Sequence, residues 1–246
     1  MSGIFYFKYF AVLQHKDVMK VGTDSMLLGA WTDSGNAKTI LDIGTGTGVL
    51  SLMLAQKSDA LIDAIEPDSK AFELAGLNFN RSRWKNRIRV FNSSLQEFVI
   101  THRPDFAEGY DLIISNPPFY KPYLRYGKQA PTEKRRKIRS HEGLKPQELL
   151  EHSLKLLSPE GQFSLILPVE TMEGFIQMAK EKGLWLNKKL LIKSKPGSGP
   201  IRCIALFSRV KKQLMEDEIS IHRPDGSYSE AYLELTKEYH VFNLKS

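Results

Sequence analysis

The chain has 246 residues, 41% of them hydrophobic and 26% charged, and a formal net charge of +7. That length buries a sizeable core, and no stretch looks like a linker between two halves; one main domain over residues 1–209 is expected, with an extension over 210–246. The single cysteine, Cys203, excludes an internal disulfide and a cysteine metal cluster. No apolar run is long enough to span a bilayer and the aromatic Met1–Phe10 stretch is not a signal peptide, so a cytoplasmic protein with no membrane partner is expected.

Ahead of the first buried strand lies Lys16-Asp17-Val18-Met19-Lys20-Val21-Gly22-Thr23-Asp24-Ser25, followed by the apolar Met26 to Trp31. Thr23 suits a helix N-cap, Asp24 suits the positive end of that helix, and Met26 to Trp31 suits a helix covering a sheet. Thr39 to Ile43 reads as a buried strand running into Gly44-Thr45-Gly46-Thr47-Gly48, which opens an apolar helix from Val49 to Gln56. Glycines there permit positive φ and close approach of a ligand to the backbone, while the helix start offers free N–H groups. The spacing departs from the dinucleotide fingerprint, with Gly48 one position early and no accompanying basic residue to neutralise a diphosphate, so a phosphate is not required.

Strand Leu61 to Ile65 ends at Glu66, about the 20-residue offset at which an acid meets ribose hydroxyls in nucleotide-binding folds. The alternative is a solvated acid at a strand end, with Pro67 beginning a turn. A helix over Asp68 to Asn80 and a strand over Arg87 to Phe91 follow. Ser93 or Ser94 then suits the cap of a short helix from Leu95 to Ile100.

The next strand, Asp111 to Ser115, runs into Asn116-Pro117-Pro118-Phe119. Proline removes ladder donors, and Pro118 drives Pro117 into an extended conformation, so the tetrapeptide is stiff. It holds an amide oxygen, a backbone carbonyl and an aromatic face in one arrangement. Two acceptors beside a ring suit an exocyclic amine on a base: they would bind both of its hydrogens and favour the pyramidal form that attacks, while Phe119 stacks on the base for about 1–3 kcal/mol. An ordinary strand-to-turn transition is the plainer reading of the same residues.

Between Lys121 and Lys145 there are nine basic and two acidic residues, a difference of +7 that accounts for the whole net charge. Lys121, Arg125, Lys128, Lys134, Arg135, Arg136, Lys137 and Arg139 interleave with or follow Tyr120, Tyr123 and Tyr126. A solvated charge run is one account; beside an amine-binding loop, a nucleic acid whose bases stack is another. Helix Pro146 to Leu157, a Ser158-Pro159-Glu160-Gly161 turn, strand Gln162 to Leu167 and helix Met172 to Lys182 continue a βα alternation that predicts a doubly wound α/β sheet. Leu184 to Ile192 and Ile201 to Ser208 flank a Pro- and Gly-rich turn and read as a hairpin. Beyond Val210, Glu216 to Ile221, a turn over Arg223 to Gly226 and an amphipathic Tyr232 to Tyr239 suggest a strand, turn and helix. His15, His102, His141, His152, His222 and His240 lack paired ligand spacing, and no metal is expected.

Asp42-Ile43-Gly44-Thr45-Gly46-Thr47-Gly48 resembles the first motif of class I S-adenosylmethionine-dependent methyltransferases, and Asn116 to Phe119 resembles the motif of their amino-methylating branch. Met19 to Asp24, followed by Leu27-Leu28-Gly29-Ala30-Trp31, is similar to the start of the bacterial tRNA1(Val) (adenine-37-N6)-methyltransferase family, a resemblance covering Phe7 to about Phe207. The motif's aromatic is often Tyr; here it is Phe119, which keeps stacking and drops a hydroxyl. The resemblance implies a mostly parallel seven-stranded sheet with an antiparallel edge hairpin, and S-adenosylmethionine as cofactor. It implies that Lys20 to Ser25, with Lys20, Gly22 and Thr23 among them, pack over the cofactor's methionine end, that Asp42, Gly44, Gly46, Gly48, Glu66 and Asn116 contribute to its site, and that Ser94 and Leu95 sit near its adenine. It also implies a tRNA adenosine received by Asn116, Pro117, Pro118 and Phe119. DNA adenine methylation, protein glutamine methylation, and an RNA-binding protein with a vestigial cofactor pocket are the competing readings. Only about forty residues precede the glycine turn, short for the helical substrate domain that glutamine methyltransferases usually carry there.

Overall fold

The computed structural model describes residues 3–101, 109–118 and 144–240. Ten strands are present among them: β1 (Gly3–Tyr6), β2 (Ala11–Gln14), β3 (Thr39–Ile43), β4 (Leu61–Ile65), β5 (Ile88–Phe91), β6 (Tyr110–Ser115), β7 (Leu157–Leu167), β8 (Trp185–Lys193), β9 (Pro200–Ser208) and β10 (Met215–Ser220). The α-helices are α1 (Thr23–Trp31), α2 (Val49–Lys57), α3 (Ser69–Asn80), α4 (Leu95–Thr101), α5 (Pro146–Leu156), α6 (Val169–Glu181) and α7 (Glu230–Thr236).

The main sheet has the order β10-β8-β9-β7-β6-β3-β4-β5. Strands β7, β6, β3, β4 and β5 run parallel, and β9 is antiparallel to both β7 and β8. The seven strands between residues 39 and 208 are those expected from the sequence, and β10 adds an eighth, parallel to β8. Every residue of β3 is buried, as in a strand covered on both faces, with Ile40, Leu41 and Ile43 apolar and Asp42 hydrogen-bonded where it is buried. One face is covered by α1, α2, α3, α7 and the β1–β2 hairpin, whose side chains form one core cluster; α4, α5 and α6 build the second cluster on the other face. Helix α2 is buried from Val49 to Ala55 because α1 overlies it, with Gly29 of α1 at the crossing: a Cβ on Gly29 would stand 2.6 Å from the Met53 sulfur.

Two local expectations are corrected. The N-cap of α1 is Gly22, not Thr23: the Met26 N–H reaches the Gly22 carbonyl, so Thr23 already lies in the first turn and its side chain caps nothing. The turn expected over Ser158 to Gly161 is instead a bulge within β7. Leu157 pairs with Tyr110 and Gln162 with Leu112, so the intervening residues arch out of register, which a strand containing Pro159 accommodates. The segment beyond Val210 is closely integrated with the rest: Tyr232 and Tyr239 are buried in the core cluster of α1 and α2, and the Tyr239 hydroxyl donates to the Met53 carbonyl at 3.2 Å.

Candidate active site

Strand order reverses direction of build at β3 and β6, and the crevice outside their carboxyl ends is where doubly wound sheets bind ligands. Both sequence motifs leave the sheet there. The glycine turn after β3 is fastened from below: the Gly44 and Thr45 N–H groups donate to the Ile65 carbonyl at 3.0 and 3.1 Å. Gly44 and Gly46 have φ of 72° and 58°, and nothing lies within 4 Å of where a Cβ on either would stand, so the turn presents bare backbone to open space. Gly48 serves differently. Its φ is 82°, and a Cβ there would meet the Phe79 ring at 2.4 Å, so this glycine admits α3 against the start of α2.

Two carboxylates frame the turn. Asp42 is fully buried; its Oδ2 accepts from the Thr45 hydroxyl at 2.6 Å and from the Ser51 hydroxyl and N–H at 2.7 and 3.2 Å. Its Oδ1 is buried without a partner among the described residues. Burial raises the Asp42 pKa, opposed by the bonds from Thr45 and Ser51. Glu66 spans the turn: Oε2 accepts from the Gly46 N–H at 2.9 Å and Oε1 from the Asp68 N–H at 3.0 Å. Burial raises its pKa as well, opposed by those two backbone donors, while the charges of Asp68 and Asp42 add to the rise. Asn92, which the sequence did not single out, braces this acid's backbone, its Nδ2 donating to the carbonyls of Glu66 and Pro67 at 2.9 and 3.2 Å.

The Asn116 loop leaves β6 beside the turn, anchored by the Ser115 hydroxyl, which donates to the Ile43 carbonyl at 2.9 Å. The Asn116 amide nitrogen donates to the Ser25 hydroxyl at 2.9 Å, across 91 residues of sequence. That bond commits the amide nitrogen to α1, and among the described residues neither Oδ1 nor the Pro117 carbonyl accepts a hydrogen bond. Pro117 is buried and Pro118 exposed. Ser25 lay inside the Lys20 to Ser25 stretch expected over the cofactor, but its bond to Asn116 was not foreseen, since nothing local announced a partner so distant in the chain. Asp24 beside it pairs with Arg202 at 2.9 Å, fixing the start of α1 to β9.

The remaining candidates fall as follows. Lys20, Gly22 and Thr23 are exposed on the approach to α1. Ser94 caps α4 in a reciprocal pair, its hydroxyl accepting from the Glu97 N–H at 3.2 Å while the Glu97 carboxylate accepts from the Ser94 N–H at 3.0 Å. Leu95 is buried in the core beneath α4. Phe119, the basic residues Lys121, Arg125, Lys128, Lys134, Arg135, Arg136, Lys137 and Arg139, and His102 and His141 lie outside the described residues. Among the described residues no His, Cys, Asp or Glu cluster is placed to hold a metal, and no helix is long and apolar enough to cross a membrane. Cys203 is buried, which pushes its thiol up to about 11.

The site's bare glycine backbone, its orphaned Asp42 oxygen and a carboxylate bridging the turn fit a nucleoside ligand carrying an amino acid end better than a diphosphate. The methyltransferase small domain family matches residues 15–130. A solved predicted O-methyltransferase from Agrobacterium tumefaciens superposes with a TM-score of 0.66 at 19% identity, covering 88% of this chain and 96% of its own. M. jannaschii TYW2, solved in complex with AdoMet, superposes at 0.54 and 15% identity over 85% of this chain and 87% of its own. Along the sequence, a tRNA1(Val) (adenine(37)-N6)-methyltransferase of Bacteroides fragilis is 38% identical over 237 residues, 96% of this chain and 97% of that protein. Another from Flavobacterium psychrophilum is 40% identical over 240 residues, 97% of this chain and 99% of its own. Likeness at that level, running through both motifs and on past β10, places the chain in the tRNA1(Val) (adenine(37)-N6)-methyltransferase family.

Proposed function

We propose that the protein methylates N6 of adenosine 37 in tRNA1(Val), with S-adenosylmethionine as methyl donor. The observation that carries the reading is the Asn116 amide, tied through its nitrogen to Ser25 with its oxygen unengaged, at the same sheet edge as the glycine turn. When bound, S-adenosylmethionine supplies a methyl group activated by a sulfonium. Glu66, Gly44 and Gly46 would hold its nucleoside part, and Asp42 Oδ1 would answer a donor from its amino acid end. Lys20, Gly22 and Thr23 would cover it from the α1 side, and Ser94 and Leu95 would border its adenine.

The protein's part in the chemistry is orientation. Asn116 Oδ1 and the Pro117 carbonyl accept the two hydrogens of the target amine, drawing its lone pair out of conjugation and aiming it across the crevice. Phe119 stacks on the base, which must first leave the anticodon loop at a cost of roughly a few kcal/mol. The basic residues between Lys121 and Arg139 bind the surrounding tRNA backbone. No covalent enzyme intermediate is required.

Incubation with labelled cofactor and total tRNA lacking the modification, followed by nucleoside mapping, tests substrate, base and atom together. N6-methyladenosine at position 37 is the expected product; label entering duplex DNA or a protein glutamine instead overturns the assignment. Asn116→Ala should abolish transfer while cofactor affinity, measured by calorimetry, stays near that of the parent. Full turnover in that variant removes Asn116 from the mechanism.

A further inference from the structure

A second basic surface lies away from the crevice. Residues 81–87 carry four basic side chains and no acidic one. Arg87 is consumed structurally, its guanidinium donating to the carbonyls of Ser58, Ala60 and Ala55 at 2.9 to 3.0 Å. Arg81, Arg83 and Lys85 are exposed, and none of them has an acidic partner among the described residues. The β1–β2 turn meets this stretch through Tyr9, against which Arg83 lies, and through Phe10, which packs edge-on against Trp84 with ring centroids 5.7 Å apart; exposed Lys8 precedes Tyr9 in that turn.

Arg83 is the centre of this patch. Its guanidinium carbon lies 5.4 Å from the Tyr9 ring centroid and 4.9 Å from that of Trp84. Two aromatic faces hold a planar cation in place without using its N–H groups, so its donors stay available in a pre-organised fork. Other cations of α3 and β5 are differently occupied: Lys70 pairs with Asp17 at 3.3 Å and Arg89 with Asp63 at 2.8 Å. A fixed, unneutralised guanidinium flanked by further cations matches the oxygens of a polyanion backbone; a carboxylate can also pair with a guanidinium bidentately, but only a phosphodiester chain presents its charges at regular spacing.

We propose that Arg83, with Lys8, Arg81 and Lys85, grips the phosphate backbone of the RNA substrate outside the reacting loop. The proposal rests on the tRNA reading above. The patch lies at the amino end of β5, whose carboxyl end leads to Asn92 and Glu66. The four residues of β5 separate the two by about 13 Å, which places the contact on phosphates beyond the flipped nucleotide. These contacts position the RNA and carry no base specificity.

The test compares the full-length protein with Arg83→Gln, Arg83→Lys and the Arg81→Gln/Lys85→Gln double variant, measuring tRNA affinity against salt concentration, methylation kinetics and cofactor affinity. Arg83→Gln should weaken tRNA binding about tenfold and lower the slope of log K against log salt by about one. Arg83→Lys should keep the slope but lose part of the affinity, and the double variant should lower the slope by about two. In all three, kcat at saturating tRNA, cofactor affinity and the unfolding midpoint should match the parent. Parental tRNA affinity and slope in both Arg83→Gln and the double variant, with tRNA methylated normally, overturn the patch alone. A parent protein that neither binds nor methylates tRNA overturns the tRNA reading and the patch together.

Discussion

Ser25 shows what a single hydroxyl does at this site. Its oxygen accepts from the Asn116 amide nitrogen, so the amide cannot rotate to offer that nitrogen to the crevice, where under the proposed mechanism a donor would repel the target amine's hydrogens. In Ser25→Ala the amide loses that restraint, worth about 1–1.5 kcal/mol for a net hydrogen bond, so kcat should fall about five- to tenfold with cofactor affinity unchanged. Ser25→Thr, which restores a hydroxyl, should recover most of the rate; single-turnover methylation of both variants checks this. Asn116 was legible in the sequence because prolines and an apolar strand bracket it, whereas the residue that orients it comes from 91 positions earlier, and no local pattern reports such a distance. Glu66 was legible by offset from the glycines, although its hold on the Gly46 N–H, which ties acid and turn into one unit, was not.

At the scale of elements, α1 matters because it carries Ser25, and Lys57 of α2 secures its far end. The Lys57 ammonium donates to the carbonyls of Gly29 and Ala30 at 2.6 and 3.4 Å and to that of Thr32, satisfying acceptors that a helix C-terminus leaves open. Burial pushes its pKa down from 10.5 to about 8, opposed by the charge of Asp33. A lowered folded pKa means that between about 8 and 10.5 the unfolded chain still holds a proton that the folded protein has released. Stability from this group therefore rises with pH across that window, and denaturant titrations of Lys57→Met should lack the rise that the parent shows. Element types and most of their bounds were readable from buried apolar runs and from glycine and proline punctuation. The bulge in β7 and the Gly22 cap were not, since each depends on which neighbouring backbone group is within reach.

For the whole molecule, the segment beyond Val210 finishes the architecture. Strand β10 covers the edge of β8 and forms the Lys189–Glu216 and Lys193–Glu218 ion pairs at 2.9 and 2.7 Å, while Ile221, Tyr232 and Tyr239 enter the core over α1 and α2. Ending the chain at residue 209 exposes the pockets of those three side chains. At about 1.5–3 kcal/mol each, roughly 5–9 kcal/mol is lost, comparable to the whole stability of a typical domain. The truncated protein should be insoluble or molten by near-ultraviolet circular dichroism, and a cooperative unfolding transition at the parental midpoint would contradict this.

The sequence by itself determined the βα alternation, the glycine turn, the stiff Asn116 loop and the acid after β4, because each is written in contiguous residues whose backbone preferences and burial pattern act locally. Only the tertiary structure decided that Ser25 holds Asn116, that Glu66 closes onto Gly46, that Gly48 makes room for Phe79, and that Tyr9 and Trp84 pin Arg83. Those are contacts between groups far apart in the chain. They are set by how the layers pack around the sheet, and packing is a property of the whole fold.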